Sequence, residues 1–504
     1  METKYICNKA ISFIILVDGK RKQVDLEAGK IYSEDKFGEN KQSIEILLES
    51  KHISKIIINE QPKTLEKPER YYNSPLSLTT QFYFCPVPLR LDTYTGCTHA
   101  CKYCFANNSN QKYIGNTSLM EENTAVAFPT KLKYVKNYFD AAFEGAPNKF
   151  SHQEALAVQC LKRKVPIHFG GMSDPLQPLE NKYGVTYEVL KLLKKYEYPV
   201  IFSTKGKLIL DKKYHDLIAD YKNFALQISL IDDRQEVIDI LEPGAASVQE
   251  RLDAFELYKD KWTACRIQPF IVGLTEPRII PLLDKLKARG VNHVMVEGLK
   301  FFSGNKQANK VIGKAFKKIT GKEYDLVSYY KSLGAKYSGN DIELPTWRKY
   351  KYAKVFKEEL AKRGMTYGAA DNDLRFLGKD ACCCGIGDLP GFENTIKHNT
   401  GTAVFRAINK NENTFDKSII QSEWFPEGTF RLPMSNEKAK KLFADGSSNR
   451  PLCELFDKAW DKGNKNSPCD QCNVKCLGAG KYKLLTKEEL EGKLRFRGHQ
   501  KTLF

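Results

Sequence analysis

Apolar residues recur in short, strand-length runs at 88–94, 165–169, 200–203, 224–229, 264–270, 291–296 and 365–367, and helical patterns fill the intervals. Each run is rich in Val, Ile, Leu or Phe and too short for a helix, so the rhythm predicts a parallel sheet wrapped by helices. Ser151 with Glu154, and Ser247 with Glu250, have the spacing of capping boxes: the serine accepts a backbone N–H and the glutamate reaches back, so each should open a helix. Asp211 is a further expected N-cap. Gly290 should stop a helix just before a strand, and Gly364 should close the helix that carries Tyr352, Val355, Phe356 and Leu360. An open or partial α/β barrel is expected, with the loops after its strands sharing one face.

Outside this rhythm the chain changes character. Residues 11–17 are apolar and precede Asp18-Gly19, a good hairpin turn, so 1–60 should be a small β-rich module. The run at 11–17 is too short for a signal peptide and lacks a small-residue cleavage site. Repeated Pro, Lys and Glu make 61–84 an expected linker, followed by the barrel at 85–380 and a Cys-rich region at 381–504. No run has the length of a membrane-spanning helix, and no export signal is evident, so a cytoplasmic protein with no membrane partner is expected. There is no internal repeat.

Charge adds a partner. With 79 Lys and Arg against 61 Asp and Glu, the net charge is +18, which favours a polyanion such as nucleic acid. The lysines are scattered among Asn and Ile, a bias that an AT-rich genome also produces. In Lys349-Tyr-Lys-Tyr352 and Lys131-Leu-Lys-Tyr134 aromatic and basic residues adjoin; such pairs stack on bases or, on a helix, cover the core.

The chemistry lies in the cysteines. Cys97, Cys101 and Cys104 form C-x3-C-x2-C with Tyr103 directly before the third. Three thiolates so spaced suit a 4Fe-4S cluster whose fourth iron stays open, and they also suit a zinc knuckle that finds a fourth ligand. Cys453, Cys469, Cys472 and Cys476 suggest a second metal site, either another iron-sulfur cluster or zinc. Cys382, Cys383 and Cys384 follow the last expected strand on the side where the site should open, and offer an alternative ligand or a hydrogen donor. Cys160 and Cys265 are donors by residue type only, and core packing explains them better. Gly170-Gly-Met-Ser-Asp-Pro175 follows a strand, and Lys205 and Ser229 sit at strand ends.

The segments Thr95-Gly-Cys-Thr-His-Ala-Cys-Lys-Tyr-Cys104, His168-Phe-Gly-Gly-Met-Ser-Asp-Pro-Leu-Gln-Pro-Leu-Glu180, Phe202-Ser-Thr-Lys205, Leu241-Glu-Pro-Gly244 and Arg251-Leu252 together resemble the spore photoproduct lyase-like branch of the radical S-adenosylmethionine (SAM) superfamily. The resemblance spans 88–301. It implies a partial (β/α) TIM-type radical SAM barrel, flanked here by the β-rich module and the Cys-rich extension. It further implies a 4Fe-4S cluster on Cys97, Cys101 and Cys104, and SAM near Gly170, Gly171, Ser173, Asp174, Lys205 and Ser229. A reductant such as flavodoxin or ferredoxin would supply electrons for radical chemistry on a nucleic acid, as repair or base modification. Glu242 and Arg251 match family positions, although an ion pair shaping the barrel explains them equally well. One position departs: Gly171 and Met172 stand where the family places a hydrogen-donating cysteine. Two other functions remain open, a radical SAM enzyme acting on a peptide or protein with an auxiliary cluster, and a non-catalytic, metal-stabilised nucleic-acid-binding protein.

Overall fold

The computed structural model describes residues 71–79, 85–106, 127–146, 149–338 and 341–395, with separate strands and one helix within 2–58 and separate strands within 414–484. Two compact units result, Met1–Lys67 and Pro68–Phe504.

The larger unit is organised by an eight-stranded sheet: β1 (Leu76–Leu78), β2 (Leu89–Leu91), β3 (Ile167–Phe169), β4 (Val200–Thr204), β5 (Phe224–Ser229), β6 (Trp262–Phe270), β7 (His293–Gly298) and β8 (Thr366–Ala369). Its spatial order is the sequence order. Every neighbouring pair is parallel except β1 with β2. A doubly wound sheet reverses direction at a switch point. Winding in one direction instead keeps the crossover helices on one face, so the other face encloses an interior. This is the expected partial α/β barrel.

Strand periodicity separates the two faces. Leu89, Leu91, Ile167, Phe169, Val200, Phe202, Phe224 and Leu226 point outward into the main apolar core, where Phe169 and Phe202 meet edge to face at 5.1 Å. Cys160 and Cys265 are buried in the same core, as packing predicted. Both capping boxes form: Ser151 and Ser247 open the helices His152–Lys162 and Val248–Leu257. Asp211 sits at the N-cap of Lys212–Ala219 without a side-chain bond, and Gly364, at φ +66°, follows the helix Thr346–Lys362. On that helix Lys349 is buried and reaches Asp371 at 3.2 Å and Asp373 at 3.0 Å, and Tyr352 packs on Phe270. These side chains cover the core.

Three expectations need correction. Residues 76–78, expected in the linker, pair with β2, because Leu76 has a buried place in the core. Residues 381–395, expected to begin a separate region, pack into the barrel. The cysteine triplet also lies at the opposite end from that expected. Cys382, Cys384, Ile386 and Phe392 fold back under the inner face onto Ile201, Ala225 and Met295, near the amino ends of the strands. The anchor is His293, the first residue of β7. Its Nε2 lies 2.8 Å from the Cys383 carbonyl and its Nδ1 2.7 Å from Thr366 Oγ1.

Burial lowers the His293 pKa from 6.5 to about 4, so the folded chain holds this ring neutral. Its contribution is complete above pH 6.5 and falls as the unfolded chain gains the proton between 6.5 and 4. The stability difference between wild type and His293→Gln should therefore shrink by on the order of 3 kcal/mol across that window, seen as a narrowing gap between their melting midpoints at each pH. A difference that stays constant with pH would show that the ring is not held neutral.

In the smaller unit, Ile11–Val17 pairs with Lys20–Leu26 as the expected hairpin, and Glu2–Cys7 lies between Ile31–Ser33 and Ile53–Ile58. A helix, Lys41–Glu49, adds Ile44 and Leu47 to a core with Val24, Leu26 and Ile53. In the Cys-rich extension Cys476 lies on the strand Val474–Gly478, opposite Tyr482, whereas Cys453, Cys469 and Cys472 lie outside the described residues. No described helix is long and apolar enough to cross a membrane.

Candidate active site at the carboxyl edge of the sheet

β2 leads directly into the loop that carries Cys97, Cys101 and Cys104, and the turns after β3 and β4 hold one side of that loop. The Asp92 carboxylate accepts the N–H groups of Met172 and Ser173, each at 2.9 Å, and the Ser173 hydroxyl donates to the Tyr94 carbonyl at 2.7 Å. Gln177 accepts from the Thr98 N–H at 2.9 Å and donates to the Gly96 carbonyl at 3.1 Å. His99 Nδ1 donates to the Gly244 carbonyl at 2.7 Å, and its Nε2 lies 3.3 Å from Asp174 Oδ2. Asp174 in turn accepts from Thr204 Oγ1 at 2.7 Å and from the Lys205 N–H at 2.5 Å. Burial opposes the Asp174 charge, but His99, Lys205 N–H and Thr204 outweigh it and hold the carboxyl below its usual range.

The other side is held by the segment after β5. The Lys102 N–H donates to the Leu241 carbonyl at 2.8 Å, and the Tyr103 hydroxyl donates to Glu242. Glu242 pairs with Arg251 at 2.5 Å, with both side chains almost fully buried, and Arg251 also donates to the carbonyls of Ala246 and Ser229. The ion-pair reading of Glu242 and Arg251 is thus the geometry found. Glu180 ties the turn after β3 to its helix, accepting from Tyr94 at 2.5 Å, from Tyr214 at 2.7 Å and from the N–H groups of Thr186 and Tyr187.

Cys97 and Cys101 are buried and Cys104 is half-buried, all as free thiols. Burial, with Asp174 and Cys104 adding to it, pushes Cys97 up to about 12. Burial also raises Cys101; Lys205 counters this, and Glu242, Cys104 and Cys97 reinforce it. Buried thiols that repel one another as anions become thiolates when a positive centre joins them. That donor set fits a cluster. A cube takes each thiolate on a different iron, whereas a single zinc ion needs its ligands to converge on one point. Among the described residues, the three loop cysteines included, no group of three His, Cys, Asp or Glu side chains is drawn together around one point, so the fit rests on the chemistry of the donor set.

The six residues expected around SAM divide by what they touch. Lys205 stands beside Cys101, Glu242 and Asp174; burial works against its charge, and these three neighbours hold its pKa above the usual value. Ser229 is buried at the end of β5, where its carbonyl receives Arg251. Ser173 and Asp174 are engaged with protein partners. Gly170, at φ +89°, makes room for the protein's own backbone: a Cβ would stand 2.5 Å from the Ser203 carbonyl oxygen and 2.8 Å from Pro175 Cδ. Gly170→Ala should therefore cost more than about 2 kcal/mol and lower the melting midpoint; an unchanged midpoint would mean that this turn relaxes freely. At Gly171 a Cβ would stand 3.0 Å from Arg90 Cδ.

Sequence reasoning missed the clamps His99, Gln177 and Gly244. It also missed the inward series His168, Ser203 and Gln227, for which a glutamine inside an otherwise apolar strand was the available signal.

Fold and site define a partial α/β barrel with a three-cysteine loop fixed at the carboxyl edge of its sheet. No family model matches the chain. Over 221 residues, 42% of the chain, it is 24% identical to uncharacterized proteins of Mycobacterium bovis and Mycobacterium tuberculosis, and it spans 59% of the length of those relatives. Among solved structures it is similar to spore photoproduct lyase, including a double mutant with bound AdoMet and dinucleoside spore photoproduct. That match covers 60% of this chain and 79% of the other, at 14% identity and a TM-score of 0.38. A complex of the same lyase with the dinucleoside spore photoproduct matches over the same shares with a TM-score of 0.37.

Proposed function

We propose that this protein is a radical SAM enzyme that acts on a nucleic acid, repairing a lesion or installing a modification. The carrying observation is the loop of Cys97, Cys101 and Cys104, three thiols within charge range of one another and fixed where the strand ends of a one-way sheet converge. These residues would hold a 4Fe-4S cluster, which when bound supplies the electron that cleaves SAM to a 5'-deoxyadenosyl radical. Lys205, kept charged by its acidic neighbours, offers a cation to the SAM carboxylate, and Ser229 offers a hydroxyl at the next strand end. Asp174 and Ser173 hold the turn that positions them. The surplus of 18 positive charges favours a polyanionic substrate. Nine free thiols among the described residues suit a reducing cytoplasm, where flavodoxin or ferredoxin would be the reductant. Cys453, Cys469, Cys472 and Cys476 form a proposed second site, for an iron-sulfur cluster or zinc.

The test is anaerobic reconstitution with iron and sulfide, followed by iron analysis, electron paramagnetic resonance with and without SAM, and an assay for dithionite-dependent 5'-deoxyadenosine. A SAM-sensitive cluster signal together with deoxyadenosine is expected. Zinc alone with intact SAM would make the protein a metal-stabilised binder.

A further inference from the structure

Beyond the apolar layer of Ile201, Ala225 and Met295, the inward face of the sheet turns polar. Arg90 on β2 and His168 on β3 are register partners, Ser203 and Gln227 are partners on β4 and β5, and Arg266 on β6 is the partner of Ser229. Ser203 Oγ donates to Gln227 Oε1 at 2.8 Å, so the contact between His168 Nε2 and Ser203 at 2.7 Å has the imidazole as donor. Burial, Arg266 and Arg90 keep the His168 ring neutral, well below its usual pKa.

What this series lacks is a directly bonded carboxylate: Asp92 and the Cys85 thiol lie within charge range of Arg90, and the Cys383 thiol within range of Arg266, but none forms an ion pair with them. Arg90 Nη1 ends on the Met172 sulfur at 3.3 Å, and Arg266 Nε meets the neutral Gln268. The nearby Asp92 carboxylate accepts the Met172 and Ser173 amides on Oδ1 and attracts Arg90 without bonding to it. Among the described residues neither guanidinium forms an ion pair with a carboxylate, and both are half-buried, reachable from the interior. Gln227 is 1% exposed, and its Nε2 has no hydrogen-bond partner. Gly171 leaves the space in which the Arg90 stem lies. Cations and amide donors withdrawn from water without a bonded counter-charge are costly, and an entering anion offsets that cost.

We propose that Arg90, Arg266 and Gln227 form a subsite inside the half-barrel for an anionic oxygen group of the substrate, a phosphodiester. This rests on the nucleic-acid reading above and gives it a place. The planar guanidinium fork matches the non-bridging oxygens of a phosphodiester. A duplex does not fit within such an interior, so the linkage belongs to a single strand or an extruded nucleotide.

The test is calorimetric titration of the full chain with deoxydinucleoside monophosphates and with their uncharged methylphosphonate counterparts. Wild type should prefer the charged linkage by about 10- to 100-fold, the range that charge-assisted hydrogen bonds support. Arg266→Gln and Arg90→Gln should each remove most of that preference, and Arg266→Lys should keep part of it. Gln227→Leu removes the buried donor without introducing a charge change and should also reduce the preference. Melting curves identify any variant that fails to fold, and the remaining variants then decide. Equal affinity for the two linkages, no measurable binding of either, or a preference unchanged in all folded variants overturns the proposal. Tighter binding of an acidic dipeptide would reject the phosphodiester in favour of a carboxylate. The preference needs no cluster, so its loss and a failure to form deoxyadenosine are separate results.

Discussion

Replacing Cys97, Cys101 and Cys104 together by alanine should abolish dithionite-dependent 5'-deoxyadenosine formation while leaving the fold in place. Loss of a residue that hydrogen-bonds a metal ligand commonly costs about 10- to 100-fold, and removal of the ligands themselves should exceed the upper end. The fold should survive because the loop is held by groups other than its thiols: Gln177 on Thr98 and Gly96, His99 on Gly244, and Lys102 on Leu241. Circular dichroism and melting of the variant should overlay wild type as each is purified in air. Iron that remains after reconstitution would then belong to the C-terminal cysteines, and an absence of remaining iron would leave zinc for that site. Full deoxyadenosine formation by the variant would remove the loop from the chemistry.

The second large effect concerns Glu242 and Arg251. Glu242→Gln leaves the Arg251 guanidinium charged and without its carboxylate at a position 2% exposed. Breaking a buried pair from one side costs about 3–5 kcal/mol. A chain of this size need not unfold in two states, so the appropriate readout is a fall in the melting midpoint of the larger unit. Burial opposes the Glu242 charge, but Arg251 and Lys205 hold its pKa below 4.5. The stabilisation is therefore present above 4.5 and is lost as the pH falls through the folded value, so wild type and variant should converge in acid. Glu242→Leu with Arg251→Met should restore much of the midpoint but not SAM cleavage, since Tyr103 then loses the carboxylate that anchors it beside Cys104. Recovery of both would reduce the pair to packing alone.

What the sequence revealed was local. Strand runs, both capping boxes and the cysteine spacing depend on residues close in the chain, and each was legible. The contacts that place the loop are not local: His99 and Gly244 are 145 residues apart, and Thr98 and Gln177 are 79 apart. The same limit explains the glycines. Gly170 is required by the Ser203 carbonyl on a neighbouring strand, a contact that exists only once the sheet has formed. The cysteine triplet was placed at the wrong end because its position after β8 says nothing about the direction in which the following chain turns. His293 determines that direction.

The clamps around the cysteine loop also separate two events that small metal domains combine. In a zinc finger the ion and the fold arrive together, and removing one removes the other. Here the bonds that shape the loop run among protein groups alone, so its shape does not wait for a metal. If the proposed cluster is lost to oxygen, the chain should then be refillable without refolding, and the lifetime of the protein would not be tied to that of the cluster.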